Sequence, residues 1–261
     1  NMQINPSEVT VVLNKMSPKS KKLTFLDHLK ELRVRLIRAS AAVIIVFISL
    51  VYFSNDIYLF VADPLQALLF NDSFMIATEV ASPFLSPLKL TFYVSIFLAF
   101  PYVLYEIWSF IAPGMYKNEK NFFLLILFIS TMLFYLGIFF AYLVVFPLVF
   151  GFFTNVGPEN ITVMTDISKY LDFVLNLFLA FALAFEIPVL ILILNFTGIT
   201  TPESLAKKRP YVIVACFVLG MILTPPDVIS QILLALPAWL LFETGLLFSR
   251  IYNKKNTETK E

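Results

Sequence analysis

The sequence predicts an all-α, polytopic membrane protein: six transmembrane helices, N and C termini cytoplasmic, and an amphipathic interfacial helix ahead of the first span. Three observations carry this. The 261 residues are 59% hydrophobic and only 14% charged, with a mean hydropathy of +0.84. A soluble domain carries about 25% charged residues, so this chain lacks the polar surface to cover itself in water. The apolar residues fall into six blocks, most of them near the ~20 residues that cross a bilayer. The basic residues are split: 17 of the 19 lie in the N-terminal segment, the alternate connections or the C-terminal end. The other two, Lys89 and Lys169, stand at the feet of spans, where a lysine can snorkel. A lysine and arginine excess marks the cytoplasmic side.

The chain reads as a polar segment over 1–22, a membrane domain over 23–252 and a polar, disordered tail over 253–261. Thr24 followed by Asp27 has the capping-box spacing, and Leu26, Leu29, Leu32 and Leu36 then recur at helical intervals among Lys30, Glu31, Arg33 and Arg35. That pattern describes an amphipathic helix lying in the interface and running into the first span, 36–53. Glu31 is a carboxylate in a basic stretch. It either pairs with its own neighbours or awaits a cationic ligand.

The second span covers 88–111 and ends in Trp108 and Phe110, residues of an interfacial aromatic belt. A short turn with Pro113 and Gly114 follows, where Glu119 sits among lysines. The third segment, 122–153, is too long for one straight span, and Pro147 is placed to kink it or end its membrane part. The fourth covers 170–196 and holds Glu186 two residues before Pro188. A carboxylate at that depth costs about 3 kcal/mol on insertion scales. Glu186 is therefore protonated, paired with a hydroxyl or amide, or open to a wet cavity. The fifth segment, 211–224, is either a re-entrant core helix or a short span that thins the bilayer. The sixth covers 228–248, with Pro237 and Glu243 inside it. Asp227 follows two prolines and is placed to cap this helix, while Thr224, Ser230 and Gln231 add a polar patch there.

Several chemistries are excluded. The lone Cys216 rules out an internal disulfide framework and a cysteine metal cluster, and the lone His28 rules out a multi-histidine metal site. No nucleophile elbow, HExxH, P-loop or GxGxxG is present, so the chain reads as a non-enzyme without cofactor. A net charge of +1 gives no field for nucleic acid.

Seven stretches together resemble the TatC family, the multispanning signal receptors of the twin-arginine protein translocase. They are HLKELRVRL (28–36), ASPFLSPLKLTFYVS (81–95), FIAPGMYKNE (110–119), FPLVFGFF (146–153), FEIPV (185–189), TPESLAKKRPYVIV (201–214) and LTPPDVISQ (223–231). The resemblance runs over about residues 24–252. It implies a multi-pass protein of the bacterial cytoplasmic (inner) membrane that binds twin-arginine signal peptides of folded cargo. It also implies TatB-type and TatA-type single-span partners, self-association in a receptor complex, and transport driven by the proton-motive force.

The resemblance further implies residue roles. Glu31 and Glu119 match the acidic patch that receives the two arginines, and Arg33, Leu36 and Phe110 match other positions in signal recognition. Glu186 matches a carboxyl on the concave face of a glove-like helix arrangement. Pro64 matches a proline of the first outer loop, and Asp227 the acid of the outer turn. Spans five and six match short helices where partner helices dock. The residues agree chemically, because arginine prefers bidentate carboxylate partners. Glu186 is then expected in a water-accessible groove, as part of an intramembrane polar site with Thr224 and Gln231. The rival reading is an ion-coupled small-solute transporter with Glu186 as the coupling site, but the paired, broken segments of two repeated halves are missing.

Overall fold

In lipid every backbone N–H and C=O must be satisfied within the segment, which leaves a chain of this composition the α-helix. The computed structural model describes residues 25–67, 76–111, 120–156, 166–223 and 228–258. Among them are helices and turns, with one isolated bridge between Ile76 and Asp166 and no strand. Helix α1 (Phe25–Leu50) passes through a 3₁₀ turn (Val51–Phe53) into α2 (Ser54–Ala67). Then come α3 (Ser82–Ile111), α4 (Lys120–Phe140), a π turn (Ala141–Val145) and α5 (Phe146–Val156). The chain continues with α6 (Ile167–Ala184), α7 (Ile187–Phe196), α8 (Pro202–Lys207), α9 (Arg209–Leu223) and α10 (Val228–Glu258). Among the described residues five helical stretches are long and apolar enough to cross a membrane, and Arg209–Ile222 is a shorter apolar one.

The expected amphipathic stretch runs straight into the first span: α1 is continuous from Phe25, and its expected cap Thr24 lies outside the described residues. Beyond that span the chain stays helical through α2, which packs on α3. Helix α3 starts at Ser82 rather than 88, since Pro83 sits where a helix loses nothing by a missing N–H. The polar stretch from 253 is also a correction: α10 continues to Glu258, because NKKNTE contains no proline or glycine to stop it.

Prolines shape the spans in three ways. Pro147 is preceded by the π turn, whose wider winding takes up the ring and the lost hydrogen bond. Pro188 stands in the first turn of α7, and the fourth span breaks at Phe185 and Glu186. Pro101 stays inside α3 and deprives the Phe97 carbonyl, four residues back, of its usual donor. The Tyr135 hydroxyl of α4 donates to that carbonyl at 3.0 Å. A kink-prone position thus becomes a tie between two helices.

The helices pack as a row. Helix α1 lies on α3, which packs on α4 and α6. The row continues through α7 to α10, and α9 closes it against α10. One buried cluster joins α5 and α6 through Phe146, Val149, Leu171, Val174 and Phe178. A second joins α3, α4 and α7 through Leu104, Trp108, Phe134, Val189 and Ile193. Phe100 and Phe134 stack face to face within it. Close backbone approach decides two contacts: a Cβ at Gly137 would lie 2.7 Å from the Phe181 carbonyl oxygen, and one at Gly245 would lie 2.8 Å from Pro188 Cα. Small residues at helix interfaces serve this purpose in lipid, where apolar burial between helices gains little.

Candidate functional site

Two helical stripes meet where α1 packs on α3. His28, Glu31 and Arg35 recur three and four residues apart on α1, and Tyr102, Glu106 and Phe110 recur four apart on α3. The His28 and Phe110 rings stack at 4.4 Å, 19° from parallel. Arg35 donates from Nε (3.0 Å) and Nη2 (2.7 Å) to Glu31 Oε1, and from Nη1 (3.1 Å) to Glu106 Oε2. Tyr102 donates to the other oxygen of Glu106 at 3.0 Å. The side chain of Glu106 is 4% exposed and that of Glu31 31%, so the cluster runs from the helix interface out to solvent or headgroups.

Of the residues expected here, the structure brings Glu31 and Phe110 to one patch. Arg33 and Leu36 are exposed and turned away from the α3 contact, Leu36 at 64%. Glu119 lies outside the described residues, immediately before α4. Arg35 and Glu106 join the patch although sequence reasoning singled out neither for the site. The signal was the matching 28/31/35 and 102/106/110 stripes, visible only when two helices are read together.

Glu186 occupies the break between α6 and α7 and is 8% exposed. Of the three ways to accommodate it, the structure shows the second: the Ser130 hydroxyl of α4 donates to Oε2, and Trp108 Nε1 of α3 donates to the same Ser130 oxygen at 3.1 Å. Oε1 is buried and accepts no hydrogen bond among the described residues. The carboxyl is thus packed among three helices instead of facing an open groove. Gln231 belongs to another contact, its amide donating to the Phe217 carbonyl across α9 and α10 at 2.8 Å. Thr224 and Asp227 lie outside the described residues, and Pro64 falls within α2. Arg209 on α9 makes a two-pronged bond to Glu243 on α10, at 2.7 and 2.6 Å. Beside this pair of helices lies an apolar cavity of about 450 Å³, lined by Leu183, Ile187, Cys216, Gly220, Leu234 and Ala238.

Near the α3 and α6 starts, Asp166 caps α6, accepting from the backbone N–H groups of Ser168 (2.9 Å) and Lys169 (3.0 Å). It also accepts from the Thr78 hydroxyl and N–H. These bonds, the Thr78 hydroxyl first, hold its carboxyl down to about 2. Lys89 pairs with Asp172 across α3 and α6.

A row of apolar helices with a carboxylate–guanidinium patch at one end and a packed intramembrane acid defines a multi-pass membrane protein. Comparison with known proteins makes this specific. Residues 27–237 match the family pattern described as TatC, Sec-independent protein translocase protein. The Sec-independent protein translocase protein TatC of Haemophilus influenzae is 57% identical over 234 residues, covering 90% of this chain and 91% of that one. The TatC of Escherichia coli K12 is 55% identical over 236 residues, covering 90% and 92%. A crystal structure described as the twin arginine translocase receptor TatC superposes with a TM-score of 0.78 at 36% identity, over 86% of this chain and 98% of that one. The chain belongs to the TatC family, multi-pass membrane subunits of the Sec-independent protein translocase.

Proposed function

We propose that this chain is the receptor subunit of the translocase and binds the paired arginines of export signals through Glu31 and Glu119. The observation that carries the reading is Glu31 itself: a part-exposed carboxylate that already accepts two N–H bonds from a guanidinium. A signal arginine asks for the same geometry. The stacked His28 and Phe110 rings beside it offer a flat apolar surface to the residues flanking the pair. Arg33 and Leu36, on the exposed side of α1, contact the signal or lipid beyond it. Description of a 36%-identical relative as a twin arginine translocase receptor supports the same reading.

In this reading both termini are cytoplasmic, in the inner membrane of a bacterium, and TatA-type and TatB-type single-span proteins are the partners. The cavity beside α9 and α10 supports docking of a partner helix, since its wall is apolar and includes Gly220 and Ala238. Helix α9 has 15 residues, about 22 Å at 1.5 Å per residue against about 30 Å of hydrocarbon, and the proposed role for so short a span is local thinning of the bilayer. The proton-motive force supplies the energy, and receptor chains self-associate.

The test is peptide binding to the full chain in nanodiscs. A signal peptide with Arg-Arg is compared with its Lys-Lys version, on the parent protein and on Glu31→Ala and Glu119→Ala. Selective Arg-Arg binding that either alanine weakens about tenfold, the worth of one charge-assisted contact, supports the receptor. Equal binding by all combinations, or none, overturns it.

A further inference from the structure

Arg35 presents a difficulty for an arginine-binding Glu31. A chain arginine that fully paired Glu31 would cancel its charge, and Lys30, Arg33 and Arg38 on the same helix would then repel an arriving cation. The second carboxylate removes that difficulty. Arg35 is shared between Glu31 and the buried Glu106, so the three side chains keep one uncompensated negative charge. Both bonds to Glu31 also fall on Oε1, which leaves Oε2 for an incoming donor. The far end of Arg35 is anchored in turn: Glu106 is nearly buried and fixed by Tyr102 one turn earlier.

We propose that Arg35 and Glu106 are positioning residues for signal recognition, a strut that holds Glu31 in place and keeps its charge available to a guanidinium. The inference rests on the receptor reading above. Arg35 supplies the geometry, because its planar fork spans two carboxylates where the single ammonium of lysine does not. Glu106 supplies the charge balance. Neither touches the signal peptide.

The experiment extends the peptide assay to Glu106→Gln, Arg35→Lys and the double variant Glu31→Ala/Arg35→Lys, each checked by size-exclusion profile and helical circular dichroism. Glu106→Gln keeps the shape and an acceptor for Arg35 while removing one charge. Arg35→Lys keeps the charge and removes the fork, so it tests the strut even where Glu106→Gln does not fold. Each single variant is expected to weaken Arg-Arg peptide binding about tenfold; Arg35→Lys, which keeps the charge, leaves Lys-Lys binding unchanged, whereas Glu106→Gln, which removes one negative charge, weakens both peptides. The double variant is expected to bind no worse than Glu31→Ala alone, since residues acting through one group are not additive. Equal losses for both peptides in Arg35→Lys, or a further loss on top of Glu31→Ala, would mean a purely structural role and overturn the proposal. If Glu31→Ala weakens Arg-Arg binding and neither Glu106→Gln nor Arg35→Lys does, the strut falls and the receptor reading stands. If Glu31→Ala has no effect, the receptor reading falls and takes the strut with it.

Discussion

Charged residues in this protein are settled by their nearest partners. Glu31, Glu106, Glu186, Glu243 and Asp166 each have a named donor: Arg35 for the first two, then Ser130, Arg209 and Thr78. Asp166 gives the plainest consequence. Its folded carboxyl is held at about 2, below the roughly 3.9 of an unfolded aspartate. A depressed carboxylate stabilises the fold above the unfolded value and loses that contribution as pH falls through the folded one. The tie between Ile76–Thr78 and the start of α6 is therefore expected to hold above pH 4 and to open between about pH 4 and pH 2. Hydrogen exchange at the Ile167 amide, which donates to the Ile76 carbonyl at 3.0 Å, reads this directly. In Asp166→Asn the protection of this amide, corrected for the intrinsic pH dependence of exchange, should stay constant across that interval; a variant that keeps the parent's loss of protection would remove the carboxylate from the account.

Elements here are joined by close approach more than by apolar burial. Gly137 lets α4 touch α6: a Cβ there would meet the Phe181 carbonyl and Ala182 Cα, at 2.7 and 2.8 Å. Gly151, further along the same span, has open space at its Cβ position. Alanine raises helix propensity by about 1 kcal/mol at either site. We expect Gly151→Ala to be neutral or mildly stabilising in thermal unfolding in detergent. Gly137→Ala is expected to destabilise by about 1–3 kcal/mol, because backbone cannot move aside as a side chain can. Equal melting temperatures for the two variants would rule out the packing argument. The same logic explains why Pro101 is tolerated in mid-helix: the carbonyl it orphans receives the Tyr135 hydroxyl, so the cost of the proline is offset across the α3–α4 contact.

At the scale of the whole molecule, the basic residues set the expected orientation. In a Cys216→Ser background, Lys208→Cys is expected to react with an impermeant maleimide from the cytoplasmic face only, and Lys169→Cys from the outer face only. Labelling of both from the same face would exclude the alternating topology. How the helices sort into a row follows from which faces match, and that was legible only in part. Composition and block length made the spans and the all-α class readable, because a bilayer penalises every unpaired peptide group and leaves no other solution. The break at Pro147 was readable too, since a proline acts through its own backbone. Glu31 and Phe110 were readable as residue types out of place, or matching a family motif.

What the sequence by itself determined, then, is everything governed by short range along the chain: spans, breaks, charge asymmetry and the family motifs. Only the tertiary structure decided which partner each intramembrane polar group found. Glu186 takes a hydroxyl from a residue 56 positions away, and Arg35 reaches an acid 71 positions away. The continuation of α1 into α2 and of α10 to Glu258 also escaped the sequence, because the polar stretches SND (54–56) and NKKNTE (253–258) are compatible with helix and coil alike. The physical reason is one of range. Backbone satisfaction is enforced locally, within four residues, whereas a buried side-chain acid is satisfied by whichever helix packing brings alongside it.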